Sequence, residues 1–230
     1  MDDLRHIVLT GVGRPGQVGE AVAQSFATTG TVLHLVDRDP SVADRARELT
    51  GHGATVHAHV ADLTDAAAVR TVAAAVGTQV HALIHMAGGF AMSGPVIDAD
   101  IEVMRRQLAI SLETAFVATQ AFLPALRMAQ GAIVYFGAAA VLEGGATMNM
   151  SGYAASKAAL LAFMRTVAQE EREFGVRANA VAPTAIRTAA NESSMGSKFD
   201  YVEREEVAAT VAWLVSPAAG AITGQVLRLG

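Results

Sequence analysis

Arg5-His6-Ile7-Val8-Leu9-Thr10 runs directly into Gly11-Val12-Gly13-Arg14-Pro15-Gly16-Gln17-Val18-Gly19. The first six residues are β-rich and nearly all apolar toward their end, which suits a strand buried on both faces of a parallel sheet. A helical stretch over residues 19–29 follows the glycines. Strand, glycine-rich turn and helix together form a setting in which a pyrophosphate can be held. Glycines let the backbone come close, and the helix N-terminus offers free N–H groups and a positive dipole end. A glycine turn with no ligand would show the same pattern, so the neighbouring stretches decide.

The next apolar run, residues 31–36, ends at Asp37. An acid about 20 residues past the glycines can hydrogen-bond a ribose 2′-OH and would repel a 2′-phosphate. This favours NAD(H) over NADP(H), although Arg14 and Arg38 have the charge to reach a 2′-phosphate. Strands are then expected at 54–60, 80–86, 132–136, 176–181 and 224–229. Helices are expected at 40–50, 65–76, 98–128 in two pieces, and 203–215. This alternation implies βαβ units and a parallel sheet with helices on both faces. Ligands of such sheets sit beyond the carboxyl ends of the strands. Residues 10–19, Asp37, Asp62 and Ala87-Gly88-Gly89 all fall at such ends. Residues 191–201 are polar and mixed, and are expected to form a mobile lid.

The chain has 230 residues, 52% of them hydrophobic, enough for one full-length domain with a large core. Only 17% are charged and the net charge is −5, which argues against a nucleic-acid footprint. No apolar run approaches the ~18 residues of a membrane span. The acidic N-terminus does not resemble a secretory signal, so a cytoplasmic location is expected. The absence of cysteine excludes disulfides, thiolate metal sites and cysteine nucleophiles. His57 and His59 share one strand face and His81 and His85 another, but no acidic ligand stands at a convincing spacing, so no metal is expected. His85, beside the Ala87-Gly88-Gly89 turn, is the one histidine expected to border a cofactor.

Gly152-Tyr153-Ala154-Ala155-Ser156-Lys157 opens a long helix expected over residues 151–174. Residues four apart share a helix face, so the Tyr153 hydroxyl and the Lys157 ammonium can point into one space. A cation close by favours the phenolate. Lowering a tyrosine pKa by ~3 units takes ~4 kcal/mol of differential stabilisation. A tyrosine tuned this way exchanges protons near neutral pH.

Taken together, Thr10-Gly11, Gly16, Gly19, Asp37, Asp62, Ala87-Gly88 and Tyr153 with Lys157 resemble the short-chain dehydrogenase/reductase family. Asn179-Ala180-Val181-Ala182-Pro183 with Thr188, and Ile222-Thr223-Gly224-Gln225, extend the resemblance over the whole chain. It implies a Rossmann-like α/β sandwich with a seven-stranded parallel sheet, and NAD(H) or NADP(H) at the glycine loop. It also implies Tyr153 as acid/base, and Lys157 as the residue that holds the nicotinamide ribose and tunes the tyrosine. The cofactor positions it implies are Gly11, Gly13, Gly16, Val18, Gly19, Asp37, Arg38, Asp62, Leu63, Ala87, Gly88, Tyr153, Lys157, Pro183, Ile186 and Thr188. A homodimer or homotetramer through the long helices is a further implication, with a small molecule as substrate.

The departures carry as much information. The glycine loop is two residues longer than the family's usual Thr-Gly-x-x-x-Gly-x-Gly. His85-Met86-Ala87-Gly88 stands for Asn-Asn-Ala-Gly. Ser111 stands for the helix asparagine that supports a proton-relay water. Ala138 stands for the catalytic serine, and losing one hydrogen-bond donor of that kind costs ~10²–10³ in rate. Ser151 or Thr147 are the hydroxyls that could stand in. Ala87-Gly88-Gly89-Phe90, residues 137–144 and Pro183 through Met195 resemble the dihydropteridine reductase branch, which lacks that serine and reduces a quinonoid dihydropterin with NADH. Such an acceptor is already electron-poor and needs less polarisation. A carbonyl or alcohol substrate, or a non-catalytic dinucleotide-binding sensor, are the competing readings.

Overall fold

The computed structural model describes residues 4–13, 15–51 and 53–230. Arg14 and the first three residues, which carry the readings of a 2′-phosphate contact and of the N-terminus, lie outside the described residues.

The strands are β1 (Arg5–Thr10), β2 (Thr31–Asp37), β3 (Thr55–Val60), β4 (Ala82–His85), β5 (Ala132–Phe136), β6 (Arg177–Pro183), β7 (Ala185–Ile186), β8 (Tyr201–Val202) and β9 (Val226–Leu229). Seven form one sheet in the order β3-β2-β1-β4-β5-β6-β9, all paired in parallel. Order reverses between β1 and β4, which opens a crevice at the carboxyl edge there. Central strands are buried throughout, as their unbroken apolar runs require.

The helices are α1 (Val18–Phe26), α2 (Val42–Thr50), α3 (Ala66–Val76), α4 (Ile101–Leu108), α5 (Thr114–Ala129), α6 (Ser151–Glu170), α7 (Ala189–Met195) and α8 (Arg204–Leu214). One core joins α1, α2 and α8 to the first face through Val22, Leu49, Val207 and Val211. The other joins α3, α5 and α6 to the second face through Val69, Phe122, Leu160 and Met164. The sandwich is therefore the α/β architecture expected.

Local chemistry sets several boundaries. The Asp65 carboxylate accepts from the N–H groups of Ala67 and Ala68 and starts α3. Gln130, in the left-handed conformation, ends α5. The Asn179 side chain donates to the Ile222 carbonyl at 2.9 Å and accepts from the Gln225 N–H at 3.0 Å. These bonds explain why the two distant motifs occur together, because they register β6 against β9.

Four expectations need correction. The helix expected over 151–174 ends at Glu170, and a 3₁₀ turn, Arg172–Phe174, completes the span. Glu171 is buried there by Arg127, whose guanidinium grips both carboxylate oxygens at 2.7 Å. Between α4 and α5 a π-helical turn, Ala109–Glu113, makes the run continuous. That run, Ile101–Ala129, is long and apolar enough by composition to cross a membrane. It passes that test because Ala115, Ala118, Phe122 and Leu126 are fully buried in the second core. Lastly, the stretch expected as a lid carries regular elements that were not expected: α7 occupies its start, and Tyr201 pairs through β8 with β7.

Candidate active site

The glycine loop and the end of β2 meet at the crevice. The Gly13 N–H donates to Asp37 Oδ2 at 3.1 Å, and the Asp39 N–H to Oδ1 at 3.0 Å. Asp37 is thus fixed beside the loop, as a ribose-binding acid requires. Gly13 and Gly16 both have positive φ, with no close atom where a Cβ would sit. Gly11 and Gly19 have a packing role instead. A Cβ on Gly11 would overlap the Ala87 backbone, and one on Gly19 would overlap Val12. These glycines bring β1, α1 and the end of β4 together, and Val18 opens α1 beside them.

Arg38 and Asp62 follow the ends of β2 and β3, on the same side of the crevice as Asp37. The Asp62 carboxylate accepts from the Thr64 N–H and hydroxyl, which hold its pKa below the usual range, with Arg38 adding to the effect. Leu63 is buried in the core behind them. Pro183 ends β6, Ile186 lies in β7, and Thr188 caps α7 by accepting from the Asn191 N–H at 3.2 Å. These three sit at the β6 end of the same edge, beyond a strand that shares the sheet with β1.

Glu20 is a residue the motif did not point to. Its carboxylate accepts from the Gly16 N–H at 2.6 Å. Arg45 and Arg204 approach the same carboxylate at 3.4 and 3.8 Å. One donor of the longer loop is therefore held by the protein's own carboxylate. A glutamate in the first turn of a helix was the available sequence signal.

Tyr153 and Lys157 both border the loop that follows β4. The Phe90 ring stands edge-on to Tyr153, with centroids 5.1 Å apart. Lys157 Nζ lies 3.2 Å from where a Gly88 Cβ would be, with Ser111 Oγ 3.6 Å from the same point. The Lys157 ammonium donates to the Phe136 carbonyl at 2.7 Å. Burial pushes the lysine down to about 8. Burial raises the Tyr153 hydroxyl above its ordinary value. The upward direction comes from desolvation at the hydroxyl, while Lys157, with one of its three N–H donors on Phe136, keeps two for other partners. Tyr153 is therefore a protonated phenol at neutral pH, a proton donor by default.

His85 does not border the crevice. It is 1% exposed and fully bonded beneath the turn. Thr114 gives its single hydroxyl proton to the Ile110 carbonyl at 2.9 Å, so toward His85 Nε2, 3.3 Å away, it accepts. Nδ1 in turn accepts from the Thr10 hydroxyl at 2.8 Å. This assigns the Nε2–H tautomer. Burial, with Lys157 adding, pulls His85 down to about 3, so it stays neutral.

Ala138 is buried, with only its methyl at the expected serine position. Neither proposed substitute is seen bonded to it. The Ser151 hydroxyl pairs with Ser93 Oγ at 3.1 Å, and Ser93 also contacts the Asn149 carbonyl at 3.2 Å. Thr147 is exposed. Ser93 carried no sequence signal. It fastens the Phe90 loop to the start of α6 and thereby sets the wall beside Tyr153. Two buried polar atoms, Gln107 Oε1 and Ser111 Oγ, have no partner among the described residues. They lie one turn apart on the face that packs on α6, since Met104 on the same row abuts Gly152. Buried polar groups of this kind usually bind an ordered water.

The family model described as Enoyl-(Acyl carrier protein) reductase, adh_short_C2, matches residues 11–229. The chain belongs to the short-chain dehydrogenase/reductase family. A galactitol 2-dehydrogenase (L-tagatose-forming) of Cereibacter sphaeroides is 30% identical over 96% of this chain and 91% of its own length. An inactive 2-(S)-hydroxypropyl-CoM dehydrogenase 2 of Xanthobacter autotrophicus is also 30% identical, over 90% and 97%. Among solved structures, an NADH-dependent reductase A1-R′ responsible for alginate metabolism is 28% identical, with a TM-score of 0.84 over 100% of this chain and 97% of that one. This chain is accordingly an NAD(P)-dependent oxidoreductase of that family.

Proposed function

We propose that the protein is an NADH-dependent reductase of a small, electron-poor acceptor, with a quinonoid dihydropterin as the leading candidate. The single observation that carries this reading is a protonated, half-buried Tyr153 together with a methyl group at Ala138. The site offers a proton, but no serine to polarise a carbonyl. An acceptor that already draws electrons fits such a site better than a plain ketone does.

The residues present suit a dinucleotide. The open space over Gly13 and Gly16 would admit the diphosphate, and Asp37 would accept from a ribose hydroxyl and repel a 2′-phosphate. Gly16 frees its N–H only when Glu20 lets go. Lys157, beside Gly88, would hold the nicotinamide ribose. When bound, the cofactor supplies the hydride. The chain's own residues do the rest: Phe90 orients the tyrosine, Tyr153 Oη gives the proton, and the orphaned Gln107 and Ser111 oxygens hold a water near Lys157.

The test is a thermal shift with NADH against NADPH, then NADH oxidation with quinonoid dihydropterin and with simple ketones. A larger shift with NADH and faster turnover of the pterin support the reading. A ketone turned over faster than the pterin would overturn the acceptor assignment. The inactive relative supports a second reading, a dinucleotide sensor without turnover, favoured here by Ala138 and Ser111 together. Binding of NADH with no oxidation by any acceptor would select it.

A further inference from the structure

The histidines that gave no metal pattern within single strands are collected across strands by the sheet. His34 on β2 lies directly opposite His57 on β3 in the parallel register. His59, two residues along β3, shares the face of His57. His6 reaches in from β1. Ring centroids of His6, His57 and His59 stand 5.4, 5.3 and 5.5 Å from that of His34, all nearly parallel to it. His6 Nδ1 is 3.1 Å from His34 Nε2, and His34 Nδ1 is 3.2 Å from His59 Nε2. His81 Nδ1 accepts from the His6 N–H at 3.1 Å and steadies the strand that carries it. None of these residues takes part in the site at the crevice.

We propose that this imidazole-paved face, His6, His34, His57 and His59, binds one divalent transition ion such as Zn²⁺, Ni²⁺ or Cu²⁺. The chemistry of the donors selects the ion. No carboxylate is hydrogen-bonded to these rings among the described residues, and neutral imidazole suits Zn, Cu and Ni while Mg and Ca require oxygen. The rings are near enough to converge. Two nitrogens bound at about 2.0–2.1 Å in cis positions stand roughly 3.0–3.4 Å apart, and His34 Nδ1 and His59 Nε2 are already 3.2 Å apart, so a turn of the rings rather than a move of the strands would aim both at one ion.

No three ligating groups among the described residues already surround one point. The nitrogens pair along a chain, and the two nitrogens of His34 cannot serve one ion. Loading therefore uses one nitrogen of His34 and turns His57 and His59 inward. His57 is exposed and His59 half-buried on the edge strand, so both rings have room to turn.

Equilibrium dialysis of untagged full-length protein against ZnCl₂ and NiCl₂, with MgCl₂ as control, tests this. The expected result is one saturable Zn²⁺ or Ni²⁺ per chain and no Mg²⁺. His57→Gln with His59→Gln would weaken binding by ~10-fold or more. Because these side chains lie at the open edge, the double variant should keep its melting temperature and its NADH shift, which checks the fold independently. With Cu²⁺, electron paramagnetic resonance should show nitrogen coupling that the variant loses. No saturable binding, or binding unchanged in the folded double variant, would overturn the proposal.

Discussion

The two ends of the crevice are made of different materials. At the β1–β2–β3 end, recognition would rest on backbone: positive-φ glycines, the Gly13 and Gly16 N–H groups that Asp37 and Glu20 hold, and Asp37 fixed by two backbone donors. At the β4–β5–β6 end it rests on side chains, and several of these differ from the family's usual set, at Ala138, Ser111 and His85. A backbone cradle tolerates a loop two residues longer, provided Gly11 and Gly19 still let β1, α1 and β4 close up. A side-chain cradle changes its chemistry with each substitution. The first end departs from the family's pattern in loop length, and the second in the side chains themselves.

The sharpest way to separate the two ends is Tyr153→Phe. Turnover should fall by ~10²–10⁴, the usual contribution of a positioned acid, while the NADH-induced thermal shift is retained. A joint loss would break the comparison. Next in size is Ala138→Ser, which restores a donor at the reacting end. Steady-state kinetics should show ketone turnover rising by about 10–10² and pterin turnover changing much less. At the binding end, Asp37→Ser removes the charge that repels a 2′-phosphate. The NADH:NADPH preference in kcat/KM should shift toward NADPH by about tenfold, ~1.4 kcal/mol.

A separate effect is on stability. His34 and His85 both titrate near 3 in the folded chain and near 6.5 when unfolded. The unfolded chain thus binds more protons between those values, so their contribution is present above pH 6.5 and is lost as pH falls toward 3. Melting temperature should drop steadily from pH 7 to pH 4. His34→Gln flattens that drop from the binding end, and His85→Asn flattens it from the reacting end.

The sheet was readable because β1, β2 and β5 are largely apolar runs that end at or just before Gly11, Asp37 and Gly137. The glycine loop, Asp37 and the Tyr153–Lys157 spacing were readable because their chemistry is local. What could not be read depends on long-range contacts. The histidine face exists only through the register of β1, β2 and β3. Ser93 matters through partners 56 and 58 residues away. The elements within 185–202 are tied by Arg187, which joins Glu192 and Glu203 at 2.7 and 2.6 Å and lies over the Tyr201 ring, contacts that composition alone does not reveal. The raised Tyr153 pKa follows from desolvation of its hydroxyl, which a four-residue spacing does not reveal.

The π turn at Ala109–Glu113 has one more consequence. A turn of this kind accommodates one extra residue, and each residue advances a helix by about 100°. It acts as a phase shifter: the row Met104, Gln107, Ser111 is set for α6, while Ala115, Ala118, Phe122 and Leu126 are set for the sheet. Deleting a single residue from the turn would rotate one row out of step with the other. Length within 109–113 is thus a coordinate along which the reacting end could be retuned without touching the binding end.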